Sequence, residues 1–266
     1  NHTRGSFSFA DAEDGGYINH TYPNSVMNFE SAIEQCSLPI IGHETGQFQC
    51  YPNYEEIKKY TGVVEARNFE VFRERLAKNG MLHQANDFFW ATGAHTVLQY
   101  KEVNESLLRT RNSGGFQLLG LADFPGQGSA FVGILDAFWE SKGLVTPEKF
   151  RESCAPTVLL ARLPKRTFRN GEKLKAKMEI YHFGKDALNS RKLNWTLTGE
   201  DGTVYHKGSL KTKSIQPATV DSLGIIELPL NGMDSARKLT LKAELGGIHN
   251  EWDVWVYPEQ PKTEQH

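Results

Sequence analysis

Apolar and polar positions change rhythm near residue 160, and that change divides the chain. Before it, short apolar runs alternate with stripes at helical spacing; beyond it, single residues alternate. The first informative stretch is Leu38-Pro39-Ile40-Ile41-Gly42-His43-Glu44-Thr45-Gly46-Gln47-Phe48. Its apolar opening, led by proline, predicts a buried strand entering from a turn, and it breaks into ionisable residues between two glycines. Upstream, Ser6-Phe7-Ser8-Phe9 alternates like a strand end, Asp11 to Gly16 is turn-forming, and Asn24 to Gln35 predicts a helix with Val26, Phe29 and Ile33 on one face. Strand, long loop, helix, strand is one βαβ unit, with its loop where pockets are built.

Downstream, Tyr54 to Tyr60 reads as a short amphipathic helix and Asn68 to Asn79 as a second, with Phe69, Phe72 and Leu76 inward. A longer helix runs from about Leu82 to Thr110, its apolar face given by Phe88, Phe89, Ala91, Val97, Leu98 and Leu107. The run Phe88-Phe89-Trp90 is read as packing. Gly114 to Asp123 is a second buried strand ending in an acid, and it runs into the loop Pro125-Gly126-Gln127-Gly128. That loop lacks the lysine and hydroxyl of a phosphate cradle. Thr146 caps a short helix that opens at Pro147. From Lys165 onward alternating strands follow: Leu174 to Tyr181, Leu193 to Leu197, Thr203 to His206, Ile225 to Leu228, Leu239 to Ala243 and Trp252 to Tyr257. Glu200-Asp201-Gly202 and Leu245-Gly246-Gly247 mark turns between them. Short, evenly spaced strands of this kind predict an immunoglobulin-like β-sandwich.

Composition narrows the function. The 30 basic and 32 acidic residues nearly balance, so there is no electrostatic case for nucleic acid or an anionic membrane as partner. No apolar run approaches the roughly 20 residues of a membrane span. Three cysteines (Cys36, Cys50, Cys154) are too few and scattered for a disulfide framework or zinc site; Cys36 and Cys50 could pair, with buried thiols the preferred reading. Neither a metal nor another cofactor is expected. A buried strand that ends in an ionisable cluster suits the C-terminal rim of an α/β barrel, which makes Glu44 the candidate working carboxylate. A solvated strand-end glutamate is the alternative. Candidate partners of Glu44 are His43, Gln47, Tyr22 and Tyr51, whose hydrogen bonds favour an anion.

Three runs carry a resemblance: His43-Glu44-Thr45-Gly46-Gln47; Gly115-Phe116-Gln117-Leu118-Leu119-Gly120-Leu121-Ala122-Asp123-Phe124-Pro125-Gly126-Gln127-Gly128; and Leu135-Asp136-Ala137-Phe138-Trp139-Glu140-Ser141-Lys142-Gly143. Together they resemble glycoside hydrolase family 2, in its bacterial polysaccharide-utilisation, β-galactosidase-like branch, over residues 1–257. The resemblance implies an α/β plus all-β fold: residues 1–160 as the C-terminal part of a (β/α)8 TIM barrel, and 161–266 as the immunoglobulin-like β-sandwich. It places Glu44 at the seventh barrel strand as nucleophile of a retaining enzyme that cleaves terminal β-glycosides from plant or algal saccharides. Gly115 to Asp123 becomes the eighth strand. Asp123 and Gln127 there, with Asn19 and His20 near the sixth strand, are the candidate contacts for sugar hydroxyls. An exposed Asp123 leans the pocket towards neutral sugars.

The family's acid/base is a glutamate after an asparagine on the fourth strand, and no segment matches it. Asn104-Glu105 lies in the helical stretch before the eighth strand and is rejected. The resemblance therefore implies a C-terminal fragment, inactive alone, whose partners are the carbohydrate substrate and the preceding part of the same polypeptide. It also implies export to the periplasm or cell exterior. A non-catalytic carbohydrate-binding or scaffolding piece is the alternative, through Trp195, Trp252 and Trp255. The spacing of Trp252 and Trp255 puts them on opposite faces of one strand, which favours sandwich core.

Overall fold

The computed structural model of the protein describes residues 2–4, 22–189 and 191–259. In chain order its elements begin with strand β1 (His2–Arg4), helix α1 (Glu30–Ile33) and strand β2 (Ile40–Thr45). A 3-10 turn (Tyr54–Lys59), helix α2 (Arg67–Lys78), a second 3-10 turn (Leu82–Gln84) and the long helix α3 (Ala85–Leu108) follow. Then come β3 (Ser113–Leu118) and α4 (Pro147–Arg151), where the Thr146 hydroxyl accepts from the Lys149 N–H as the capping signal predicts. The remainder is all strand: β4 (Thr157–Arg162), β5 (Thr167–Arg169), β6 (Lys173–His182), β7 (Lys192–Gly199), β8 (Val204–Lys211), β9 (Thr219–Pro229), β10 (Arg237–Leu245) and β11 (Ile248–Tyr257). The chain is mostly β-sheet with few helices.

Two expectations about helices are corrected. The helix expected over Asn24 to Gln35 shrinks to the single turn α1. The side chains of Asn24 and Asn28 accept from the N–H groups of Val26 and Glu30, which offers the backbone a turn in place of a helix. Ser25 meanwhile bonds strand β4, its N–H to the Leu163 carbonyl at 2.9 Å and its hydroxyl to the Ala161 carbonyl at 2.7 Å. In α3 the buried face is Phe89, Gly93, Thr96, Tyr100, Val103 and Leu107, at three- and four-residue spacing. Ala91 and Leu98, expected inside, face outward, and Trp90 is 53% exposed. Gly93 sits inside because a Cβ there would collide with the Leu144 side chain.

The described residues form two compact units. The first holds residues 2–4, Ile40–Asn104 and Gly114–Phe150. Its sheet has the order β1-β2-β3 among the described residues, with β1 parallel to β2. The second unit holds residues 22–39, Glu105–Ser113 and 151–259. It is a β-sandwich, with a five-stranded sheet of order β5-β11-β10-β7-β8 facing a three-stranded sheet of order β4-β6-β9. One continuous core lies between them, fed by Leu174, Met178 and Ile180 of β6, Leu239 and Leu241 of β10, and Trp252, Val254 and Val256 of β11. Trp252 is buried in that core while Trp255 points out, as three-residue spacing in a strand requires. Strand β4 escaped the alternation analysis because Val158, Leu159, Leu160 and Ala161 are all buried, so it has no polar face. The β10–β11 hairpin turns through Gly246 and Gly247, both at positive φ, as a two-residue loop between twisted strands requires.

Inside this unit the end of α3 is fixed by a buried polar cluster. Glu105 is fully buried; its carboxylate accepts from the Asn250 amide at 2.9 Å and the Trp252 indole at 3.0 Å, with the Arg109 guanidinium 3.4 Å away. Arg109, also fully buried, donates to the Met27 carbonyl, and Asn250 donates to the Leu159 carbonyl. A charge this deep is tolerated because Asn250, Trp252 and Arg109 all turn donors towards it. Glu105→Ala removes the carboxylate from beside the buried guanidinium and the indole. That loss costs about 3–5 kcal/mol, a large share of the ~5–15 kcal/mol that holds a domain folded. The expected result is a guanidinium midpoint lowered far more in Glu105→Ala than in the isosteric Glu105→Gln; equal midpoints would contradict it.

Candidate active site

Within the first unit, β2 carries the predicted chemistry at its C-terminal end. Ile40, Gly42 and Thr45 are buried, whereas His43 and Glu44 are half-buried. Glu44 holds a φ of 53°, the left-handed region that a branched or long L-residue seldom occupies, and Gly46 follows at 84°. The sharp reversal turns the Glu44 side chain out of the strand's alternation. His43 Nδ1 lies 3.0 Å from the Gln117 carbonyl oxygen Oε1 on β3, and its Nε2 lies 3.7 Å from Glu44 Oε1. The Gln47 amide donates to the Glu44 carbonyl at 3.2 Å. His43, Glu44 and Gln47 are thus one local constellation, with Gln117 as a fourth member that the sequence did not single out.

The strand ends are locked from below by Tyr100 of α3. Its buried hydroxyl lies 2.6 Å from both the Gly46 and Val132 carbonyl oxygens and donates to the pair. A Cβ at position 46 would collide with this ring, so both the positive φ and the close approach demand glycine. The ends of β2 and β3 meet at the Leu119 N–H, which donates to the Thr45 carbonyl.

The other expected contacts fall differently. Asp123 is buried rather than displayed: its Oδ1 accepts from Lys142 at 2.7 Å and from the Gly133 N–H at 2.9 Å. Burial pushes its carboxyl above the usual range against the opposing pull of Lys142. The lean towards neutral sugars, which assumed an exposed Asp123, loses that support. Tyr51 pairs hydroxyl to hydroxyl with Tyr54 at 2.9 Å and packs edge-on against Phe88. Gln127 is exposed on its glycine loop, and Tyr22 is 90% exposed. Asn19 and His20 lie outside the described residues. Cys50 is a buried thiol.

The same unit holds a network of charges built from Lys59, Asp123 and the run Leu135 to Gly143. Lys59 pairs with buried Asp136 and, at 2.7 Å, with Glu140. Burial would raise the Asp136 carboxyl, but Lys59 and the N–H groups of Phe138 and Glu140 outweigh it and hold it low. Glu56 is almost wholly buried on the 3-10 turn, and its Oε2 meets no hydrogen-bond partner among the described residues. Burial first, then the fields of Asp123 and Asp136 against those of Lys142 and Lys59, leave its pKa pushed up to about 7. Nothing in Tyr54-Glu55-Glu56-Ile57 distinguishes this inward glutamate from the exposed one before it. Lys142 was better marked, since it sits in the same charged run as Asp136 and Glu140. Among the described residues no group of three or more His, Cys, Asp or Glu side chains could hold a metal ion, and no helix is long and apolar enough to cross a membrane.

Comparison with known proteins adds the following. Residues 172–258 match a family described as a domain of unknown function, DUF8488. No curated protein matches the chain. Solved structures that match in part include the sporulation control protein Spo0M from Bacillus subtilis, 17% identical over 40% of this chain and 51% of that one, with a TM-score of 0.30. A β-glucosidase from Listeria innocua matches at 13% identity over 40% of this chain and 16% of its own, TM-score 0.29. The β-glucuronidase of Parabacteroides merdae matches at 10% identity over 39% and 13%, TM-score 0.26. The chain therefore spans about half of the first of these proteins and a small part of the two glycosidases. At such scores the likenesses carry no argument about activity.

The buried Glu56 makes stability depend on pH. Its folded pKa of about 7 lies above the ordinary 4.5, so the native state keeps a proton that the unfolded chain releases. Stability from this group is complete below about pH 4.5 and is lost as pH rises through about 7. Glu56→Gln removes the dependence. The variant should match the parent near pH 4.5 and exceed it at pH 8 by up to about 3 kcal/mol, read as a thermal-midpoint gap that opens with pH. A gap that stays constant across that range would refute the assignment.

Proposed function

We propose that this chain supplies the nucleophile of a retaining β-glycosidase of the glycoside hydrolase family 2 type. The observation that carries the reading is Glu44: a half-buried carboxylate at the end of β2, on strained backbone, beside His43 and two residues before Gly46, whose carbonyl accepts from Tyr100. Backbone held in a sparsely populated region costs on the order of 1–3 kcal/mol and persists where the surroundings over-determine it, which is common at reacting groups.

In this reading Glu44 attacks the anomeric carbon as the bond to the leaving oxygen breaks, and a second carboxyl group protonates that oxygen. The resulting glycosyl ester is then cleaved by water that the second group deprotonates, restoring the starting configuration. The second group has to sit about 5–5.5 Å from the first. Glu105 is unsuited to the task, since it is fully buried and its carboxylate already accepts from Asn250 and Trp252 of the second unit. The reading assigns the acid/base to polypeptide outside this chain. Residues 1–160 become the last part of a (β/α)8 barrel and 161–266 an immunoglobulin-like domain. His43, Gln47 and Tyr51 serve as sugar-facing groups in this reading, with Gln127, Asn19 and His20 as further candidate contacts for hydroxyls. The substrates are terminal β-glycosides of plant or algal saccharides, met in the periplasm or outside the cell.

The decisive experiment uses the full polypeptide that carries this chain. Glu44→Ala should lower kcat on an aryl β-glycoside by at least about a thousandfold. Added azide should restore turnover and give a glycosyl azide of inverted configuration. A 2-deoxy-2-fluoro glycoside should label the parent on the peptide containing Glu44. Ordinary turnover by the variant, or label on another carboxylate, would remove Glu44 from the role.

A further inference from the structure

A second candidate site lies in the sandwich unit, and none of its lining residues is among those given a functional role above. The turn Thr110, Arg111, Asn112 and Ser113, the aromatic pair Tyr181 and Phe183, and the stretch Ala218 to Asp221 enclose a cleft of about 340 Å³. That is the size of a small-ligand pocket, roughly 300–1,000 Å³.

Its wall is a prepared aromatic platform. Tyr181 and Phe183, two residues apart at the end of β6, share one side of the sheet. Their rings stack with centroids 4.5 Å apart and planes 18° from parallel, and Phe183 remains 45% exposed. The backbone beneath is fixed. The Phe183 N–H donates to the Pro156 carbonyl at 2.7 Å, and buried His182 is held between the Thr157 hydroxyl and the Asp186 carbonyl. Among the described residues, nothing covers this phenylalanine on its rigid base.

The facing walls are strained. Asn112 has a φ of 64° and Ala218 a φ of 61°. Asparagine tolerates that region, but alanine has no side-chain hydrogen bond to offset it, and the cost is of order 1–2 kcal/mol. Strain of this kind gathers at ligand clamps. The polar rim is electrically balanced, with Arg111 on one wall and Asp221 on the other, so it selects neither an anion nor a cation. The Thr219 hydroxyl, 2.8 Å from the Gln216 carbonyl and 3.3 Å from Asp221 Oδ2, has one proton to give to either of them.

We propose that this cleft binds a neutral saccharide. A pyranose offers what the walls ask for: a flat face of C–H groups, weakly positive, to extend the aromatic stack, and equatorial hydroxyls for the guanidinium, amide and carboxylate at the rim. The site does no chemistry. It tethers the chain to polymer, and it stands whether or not Glu44 is a nucleophile.

The test is affinity gel electrophoresis of the 266-residue chain in galactan, arabinan, mannan and polygalacturonan. At least one of the three neutral polymers should retard the parent. Phe183→Ala should weaken that retention tenfold or more, Phe183→Tyr should preserve it, and Asp221→Ala should weaken it several-fold with an unchanged thermal midpoint. Loss of retention in Phe183→Ala and Asp221→Ala assigns the binding to this cleft and separates it from the catalytic reading of Glu44. Absence of retardation in all four gels, retardation in polygalacturonan alone, or retention untouched by both Phe183→Ala and Asp221→Ala would overturn the proposal.

Discussion

One shared proton organises the first unit. The Tyr100 hydroxyl reaches two carbonyl oxygens that end different stretches of chain, Gly46 after β2 and Val132 in the loop beyond Asp123. A buried carbonyl without a donor is costly, so neither stretch can shift without losing this contact. Burial also drives the phenol well above its usual pKa, which keeps the proton in place across the working pH range. From Val132 the constraint passes to Gly133, whose N–H donates to Asp123 and whose carbonyl accepts from Lys142. The position of Glu44 and the burial of Asp123 are consequences of the same anchor.

The third quoted run of the family resemblance has an unexpected division of labour. Asp136, Glu140 and Lys142 carry most of its charge, yet each is spent inside the first unit, on Lys59 or on Asp123. These pairs tie the run to Lys59 of the 3-10 turn and to Asp123. The proposed chemistry falls instead on Glu44, which lies in the shortest of the three runs. A recognisable signature can thus describe mainly the scaffold of a site.

Legibility followed period and failed with direction. The sandwich could be read because β6, β10 and β11 alternate buried and exposed positions and because glycines mark the turns between strands. Strand β4 could not, since both its faces are covered and its pattern is a plain apolar run. Helix α3 was legible in extent but rotated in register. Gly93 and Thr96 take the inside by virtue of size, and Leu98 goes out, a choice set by neighbours distant in sequence. For the site, the strand-to-acid transition at Glu44 was visible. The burial of Glu56 and Asp123 was not, because a carboxylate's partners are tertiary and Lys142 lies 19 residues from Asp123.

The margin of the five-stranded sheet has a further consequence. Strand β8 ends that sheet, and Lys207 and Lys211 stand exposed along it, while at the opposite margin β5 is only three residues long. Another molecule trying to dock its backbone there would meet ammonium groups on one side and too few rungs on the other. Ladder growth from copy to copy, the first step of fibril formation, is therefore discouraged at both rims of this sheet among the described residues.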